Sequence, residues 1–264
     1  MSDTLARLRG EIDAIDDALL ALLEQRAALA LDVAQAKQAA NLPAYYDPER
    51  ERRILARLGE RVQGRLAAAS VHAVFREIIS ACLSLQQPLR VAYLGPEGTF
   101  TQQAARALFG RAADYREAPT IAGVFDAVAR GQAERGVVPI ENSSEGSVAA
   151  TLRALVQHEL LIEREVLLDI RHQLLARASS LSDIVRVYSH PQALGQCAAW
   201  LQRNLPFVSL VHTRSTAAAV VEALGDACGA AIGSALAGDL YGVPVLVEHV
   251  NDEPDKIGRA SCRE

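Results

Sequence analysis

Lysine is almost missing from this chain: of 27 basic residues only Lys37 and Lys256 are lysines, and all the others are arginines. Surface charge is met with guanidinium groups, so a retained lysine marks either a chance survivor or a place where a compact ammonium is wanted. Aromatic residues are scarce at 5%, with a single tryptophan. The four cysteines (Cys82, Cys197, Cys228, Cys262) form no CxxC pair and no dense framework. That excludes a disulfide scaffold and fits a reducing compartment. No apolar run reaches 18 residues, so no membrane-spanning helix is expected. The opening MSDTLARLRGEIDAIDD is too acidic and interrupted for a secretory signal. A formal charge of −5 excludes a nucleic-acid partner held mainly by a basic face. What is present is 50% hydrophobic content over 264 residues, enough for one or two packed cores. The expectation is a soluble, cytoplasmic protein.

Two regions differ in pattern. From Thr4 to about Gln87 the chain reads as helix. Leu8, Ile12, Ile15, Leu19, Leu22, Leu29 and Val33 recur at three- and four-residue steps on one long helix. Asn41-Leu42-Pro43 ends it, and Asp47-Pro48-Glu49 starts a second helix with an N-cap carboxylate and a first-turn proline. A third runs from about Leu66 to Gln86. Beyond Pro88, short apolar runs (90–94, 136–140, 185–188, 208–211, 230–232) alternate with helical ones, which predicts an α/β region with largely parallel sheets. Val166–Leu175 and Val245–Val250 read as strands crossing between two lobes.

The first helix's stripe contains an anomaly. Continued by the same steps it reads Leu22, Arg26, Leu29, Val33, Lys37, so two cations occupy apolar positions. An unpaired buried cation is costly, and each needs an anion or a route to solvent. Either the pair snorkels at the end of the stripe, or it faces a pocket for a small polyanion inside a helical bundle. Arg50 and Glu51 on the second helix, with Cys82 and Gln86 one turn apart on the third, are the other candidate walls.

The segments LRGEIDAIDDALLALLEQRAALALDVAQAK, DPERE and FREIISACLSLQQPL together resemble the all-helical chorismate mutase domain, over about residues 4–87. The resemblance implies a substrate pocket lined by Arg9, Arg26, Lys37, Arg50, Glu51 and Gln86, with Asp47 nearby. Cys82 stands where relatives often carry a small hydroxyl residue. It also implies an intertwined dimer, and reach supports this: Arg9 and Arg26 are 17 residues apart, roughly 25 Å along one helix, so one small ligand cannot touch both from one chain. Rearrangement of chorismate to prephenate is pericyclic and needs no nucleophile. By the resemblance, Arg9 and Arg26 hold carboxylates, Lys37 and Gln86 face the ether oxygen, and Glu51 accepts from the substrate hydroxyl.

Four later segments share the order strand, polar turn, helix: YLGPEGTFTQQAA, VVPIENSSEGSV, VYSHPQALGQCAAW and AAIGSALAGDLYGV. Such turns place hydroxyls and backbone N–H groups at helix N-termini, which favours carboxylate or phosphate ligands, although each alone also reads as plain capping. Together they resemble prephenate dehydratase over about residues 90–255. The whole chain is thus similar to the bifunctional chorismate mutase–prephenate dehydratases (P-proteins) of phenylalanine synthesis. The resemblance implies a two-lobed domain of periplasmic-binding-protein type (type II) with prephenate in its cleft, and no metal or organic cofactor. Thr99, Glu141, Asn142, Ser143, Ser189, His190, Gln192, Gln196 and Thr216 are the cleft residues it implies.

The expected domains are 1–88 (mutase), 89–255 (dehydratase) and a tail, 256–264. That tail, KIGRASCRE, changes character abruptly after NDEPD. From Ile257 onward it back-translates into a common short-read sequencing adapter, so the expectation is a read-through artefact. It stands where the family has a Thr-Arg-Phe motif, whose threonine is its principal acid, followed by a strand and a regulatory domain that binds phenylalanine. A missing acid, an open slot in the sheet, impaired dehydration and no feedback by phenylalanine are the corresponding expectations. The rival readings are a non-catalytic small-carboxylate sensor with a helical dimerisation module, and a remnant that merely dimerises.

Overall fold

The computed structural model describes residues 2–40, 46–142, 146–253 and 257–263. The chain divides into two compact units, residues 1–89 with 109–114, and residues 90–108 with 115–264. The first takes in residues 109–114 because the third helix binds that loop. Glu77 and Ser80 accept hydrogen bonds from the backbone N–H groups of Arg111 and Ala112, at 3.0 and 3.2 Å.

The first unit is three helices, α1 (Ser2–Ala39), α2 (Pro48–Glu60) and α3 (Ala68–Ser84). Asp47 caps α2 through its carboxylate, which accepts from Arg50 N at 2.9 Å, and Pro48 occupies the first turn. The long α1 keeps its apolar stripe largely uncovered. Ile12, Ile15, Leu19, Leu22, Leu29 and Val33 are all at least half exposed. Among the described residues, no helix is long and apolar enough to cross a membrane.

The second unit is a two-lobed α/β domain. Its elements run β1 (Arg90–Leu94), α4 (Phe100–Phe109), β2 (Asp114–Ala118), α5 (Ile121–Ala129), β3 (Arg135–Asn142), β4 (Gly146–Ser147), α6 (Ala149–Gln157), β5 (Ile162–Asp169) and β6 (Gln173–Ala176). There follow β7 (Arg186–Ser189), α7 (Pro191–Gln196), α8 (Ala198–Asn204), β8 (Ser209–His212), α9 (Thr216–Ala223), β9 (Gly229–Gly233), α10 (Ala235–Tyr241), β10 (Val245–Val247) and β11 (Ile257–Arg263). One sheet has the order β2-β1-β3-β11-β5, with β4 beside β3; the other has the order β10-β6-β9-β7-β8. Read from β2 and from β8, both follow one plan: second strand, first strand, third strand, then a strand delivered by a crossing. This is the periplasmic-binding-protein arrangement of type II.

The sheets are mixed rather than largely parallel. β1–β3, β7–β8 and β7–β9 are parallel, but the inserted strands β11 and β6 run antiparallel to their neighbours. The run expected as one strand over 166–175 is also two. β5 ends at Asp169, and Ile170-Arg171-His172 carry the chain to β6 in the other sheet. Leu174 and Leu175, successive on β6, are fully buried in separate clusters on opposite faces. The other lobe packs Val124, Phe125 and Val138.

The expected open slot is filled. The backbone of Ile257–Arg263 pairs with β3 on one side (Gly258 opposite Asn142, Arg259 opposite Glu141) and with β5 on the other. Pairing is made by backbone N–H and C=O groups, so this proline-free segment needs no particular side-chain character to occupy the position.

Candidate active sites

In the helical unit one cavity of about 270 Å³ gathers the predicted residues. Arg26 and Lys37 reach it from α1, Asp47, Arg50 and Glu51 from the start of α2, and Cys82 and Gln86 from α3 and the turn after it. Leu29, Val33, Ile54 and Ile79 supply apolar wall. The cap at Asp47 explains the contribution of α2, since it sets the first turn so that Glu51 is buried against the cavity and the exposed Arg50 lies on its rim. Arg26 and Lys37 are half-buried, with Arg26 Nη1 lying 3.5 Å from the Ile78 carbonyl oxygen. Glu51 and Cys82 are buried. Gln86 Oε1 is buried with no hydrogen-bond partner among the described residues. By formal charge the wall holds three cations and two carboxylates. Arg9 lies elsewhere on α1, exposed, and does not line this cavity. Tyr46, which also lines it, was missed from sequence because a lone tyrosine beside a turn carries no distinguishing pattern.

The second cavity, about 700 Å³, lies between the lobes of the α/β unit. Thr99, Glu141, Asn142, His190, Gln192, Gln196 and Thr216 line it together. The first residues of four helices (Phe100, Ala149, Gln192 after Pro191, and Thr216) lie on its wall, so the positive ends of helix dipoles converge there. Two predicted residues stand apart. Ser189 is fully buried at the end of β7, donates to Ile232 O at 2.7 Å and does not line the cleft. Ser143 lies outside the described residues.

The GPEGTF turn is held by its own bonds. Thr99 donates to Leu94 O at 3.1 Å, and Gln102, fully buried, accepts from Gly98 N at 2.8 Å and donates to Glu97 at 3.2 Å. Burial, aided by Glu97 and Glu117, pushes the Tyr93 hydroxyl well above the ordinary phenol range, and burial raises Tyr241 likewise. Both phenols therefore stay protonated at neutral pH. His172 and Arg214 line the cleft without having been predicted. Arg214 is the one arginine or lysine on its wall among the described residues, and its place one residue before the cap Ser215 was the available signal.

Residues 8–87 match the chorismate mutase type II family, and residues 91–260 match prephenate dehydratase. The chain is 42% identical over 262 residues to the bifunctional chorismate mutase/prephenate dehydratase of Aquifex aeolicus, covering 97% of this chain and 72% of that one. It is 43% identical to the Pseudomonas aeruginosa protein of the same description, with the same coverage. Among solved structures, the prephenate dehydratase of Arthrobacter aurescens in complex with L-Phe superposes with a TM-score of 0.62 at 36% identity, over 67% of this chain and 60% of that one.

Proposed function

Because the chain belongs to the bifunctional chorismate mutase/prephenate dehydratase family and is an enzyme with both activities, we propose that the helical cavity is its mutase site and the interlobe cleft its dehydratase site. The observation that carries the mutase assignment is the convergence of Arg26, Lys37 and Arg50, against the two carboxylates of Asp47 and Glu51, on one small cavity with apolar walls, an excess of positive charge that suits an anionic guest. Chorismate is a dicarboxylate of suitable size. Its rearrangement requires a compact conformer and stabilisation of the negative charge that builds on the ether oxygen as the C–O bond breaks. Arg26 binds a carboxylate, Lys37 and the Gln86 amide face the ether oxygen, and Glu51 accepts from the ring hydroxyl. Arg50, Asp47 and Cys82 complete the wall.

Arg9 enters from a second copy of the chain. A helix of 38 residues, about 57 Å long, with a half-exposed apolar stripe needs a cover, and an intertwined dimer supplies it. The same arrangement adds one cation to a site whose own formal charge is +1, bringing it to match a dianion. The thiol usage and the biosynthetic chemistry favour a cytoplasmic location.

In the cleft, the convergent helix N-termini and the side chains of Thr99, Asn142, Gln192, Gln196 and Thr216 grip the carboxylates of prephenate. Loss of the ring hydroxyl needs a proton donor, and departure of carbon dioxide then leaves an aromatic ring. No residue from Ile257 to Ala260, where β11 runs beside Glu141 and Asn142, has a hydroxyl. We therefore infer that this step is slow in this chain. Following chorismate loss and phenylpyruvate release separately tests the reading. Rapid chorismate loss with slow phenylpyruvate release is expected, and a chain that leaves chorismate untouched is a binding protein instead.

A further inference from the structure

His172 lies on the first crossing between the lobes, only 2% exposed, with its ring edge against Phe100 at 5.3 Å between centroids. Its Nε2 is 3.0 Å from Gln196 Oε1. A carbonyl oxygen cannot donate, so Nε2 carries the hydrogen and the imidazole is the donor. That bond occupies the acceptor end of the Gln196 amide. The end left for the cleft, which Gln196 lines, is the NH₂ group. Were the amide turned over, its oxygen would face a carboxylate ligand and repel it.

Both partners are anchored to one short segment of the second crossing. His172 N donates to Asn251 Oδ1 at 2.6 Å, Asn251 Nδ2 donates to Ile170 O at 2.9 Å, and Val250 N donates to His172 O at 2.9 Å. Asp252 N donates to Gln196 O at 2.9 Å, while the Asp252 carboxylate accepts from Ala199 N and Trp200 N at 2.9 and 2.8 Å. A histidine present only to fill space would not need its hydrogen-bond acceptor fixed by the same segment that fixes its own backbone.

We propose that His172 is a positioning residue for the dehydratase cleft: through its Nε2–H it holds the Gln196 amide with the NH₂ turned toward the anionic substrate. This rests on the assignment of prephenate to the cleft. The histidine touches no reacting atom in this role and acts through Gln196 alone.

The test is equilibrium titration of the full chain with prephenate. All titrations use an Arg26→Ala background, because prephenate is also the product released by the helical site. His172→Leu is expected to weaken binding about tenfold, the loss of one oriented hydrogen bond to an anion. His172→Gln, which keeps an N–H donor at a similar reach, is expected to recover most of that loss. In a Gln196→Ala background, His172→Leu is expected to add nothing. If the two losses multiply instead, or if His172→Leu alone leaves the affinity unchanged, the positioning role is overturned. Melting temperatures without ligand separate this from misfolding. If the leucine variant does not fold, His172→Asn, polar but too short to reach Gln196, decides the matter on the same criteria. A parent that binds no prephenate overturns the cleft assignment and this role with it, whereas a parent that binds while His172→Leu binds equally well overturns only the role.

Discussion

Ser234 donates its hydroxyl to the carbonyl oxygen of Gly98, 2.6 Å away and 136 residues earlier in the chain. The Ser234 hydroxyl oxygen in turn accepts from Ala237 N and so caps α10. One buried hydroxyl thus joins the GPEGTF turn of one lobe to a helix start in the other. Ser234→Ala removes both bonds and is expected to cost about 1–3 kcal/mol. Gly98→Ala should be worse, because φ is +82° there and an added Cβ would meet Ala237 Cβ at 2.9 Å. Urea unfolding followed by the fluorescence of Trp200 measures both, and an unchanged midpoint for Ser234→Ala would remove the lobe-joining role.

Lys37→Ala and Gln86→Ala are expected to lower mutase kcat by about 10²–10³, the range for losing one donor to developing negative charge, with little change in melting temperature. Chorismate consumption under saturating substrate provides the measurement. Near-parental turnover in either variant contradicts the assigned role.

Mixing tests the shared site. If Arg9 serves the cavity of a second copy, Arg9→Ala and Lys37→Ala are each inactive alone. Co-expressed in equal amounts, half the dimers are mixed, and each has one intact site of two, so about a quarter of the parental activity returns. No recovery on mixing means that Arg9 and Lys37 do not meet across two copies.

Phenylpyruvate release is expected to rise on replacing Gly258, which pairs with Asn142 in β11, by threonine. General-acid assistance commonly contributes about 10²–10⁴ in rate, so even partial restoration is visible. A Gly258→Thr chain no faster than the parent would locate the deficiency elsewhere or show that none exists.

Glu134 sits just before β3 and is gripped by Arg90, the first residue of β1. Its carboxylate accepts from Arg90 N at 2.8 Å and from the guanidinium at 2.5 and 2.9 Å. Partial burial alone would raise its pKa, but the bonds from Arg90 outweigh it and hold the group below the ordinary range. A group lowered in the folded state contributes stability above its unfolded value, about 4.3, and loses it as pH falls through the folded value. Glu134→Gln should therefore flatten the acid side of the stability curve below about pH 4. Melting temperatures from pH 3 to 7 check this, and parallel curves for parent and variant would deny the linkage.

Much of the helical site was legible because its signals are local. Asp47-Pro48 announces a helix start, and cations in an apolar stripe announce either a snorkelling pair or a pocket, whatever lies around them. The strands at 90–94, 186–189, 209–212 and 229–233 were legible as short apolar runs. β2 was not, since three of the five residues in Asp114–Ala118 are charged, as suits its place at the sheet edge. Ser189 and Thr99 belong to equally suggestive motifs, yet Ser189 spends its hydroxyl on Ile232 beneath the cleft wall. His172 has no motif at all; its significance comes from Gln196, 24 positions later.

Residue order by itself determined the three N-terminal helices and the short apolar strands at the lobe centres, where α2 begins, and that Arg26 and Lys37 share one face, because periodicity and capping act over a few residues. Tertiary structure alone decided that α2 and α3 close a cavity over those cations, that β11 enters between β3 and β5, and which polar side chains of the α/β unit reach the cleft. Those outcomes depend on backbone and side-chain groups far apart in the chain finding each other's donors and acceptors, and no local pattern encodes such a pairing.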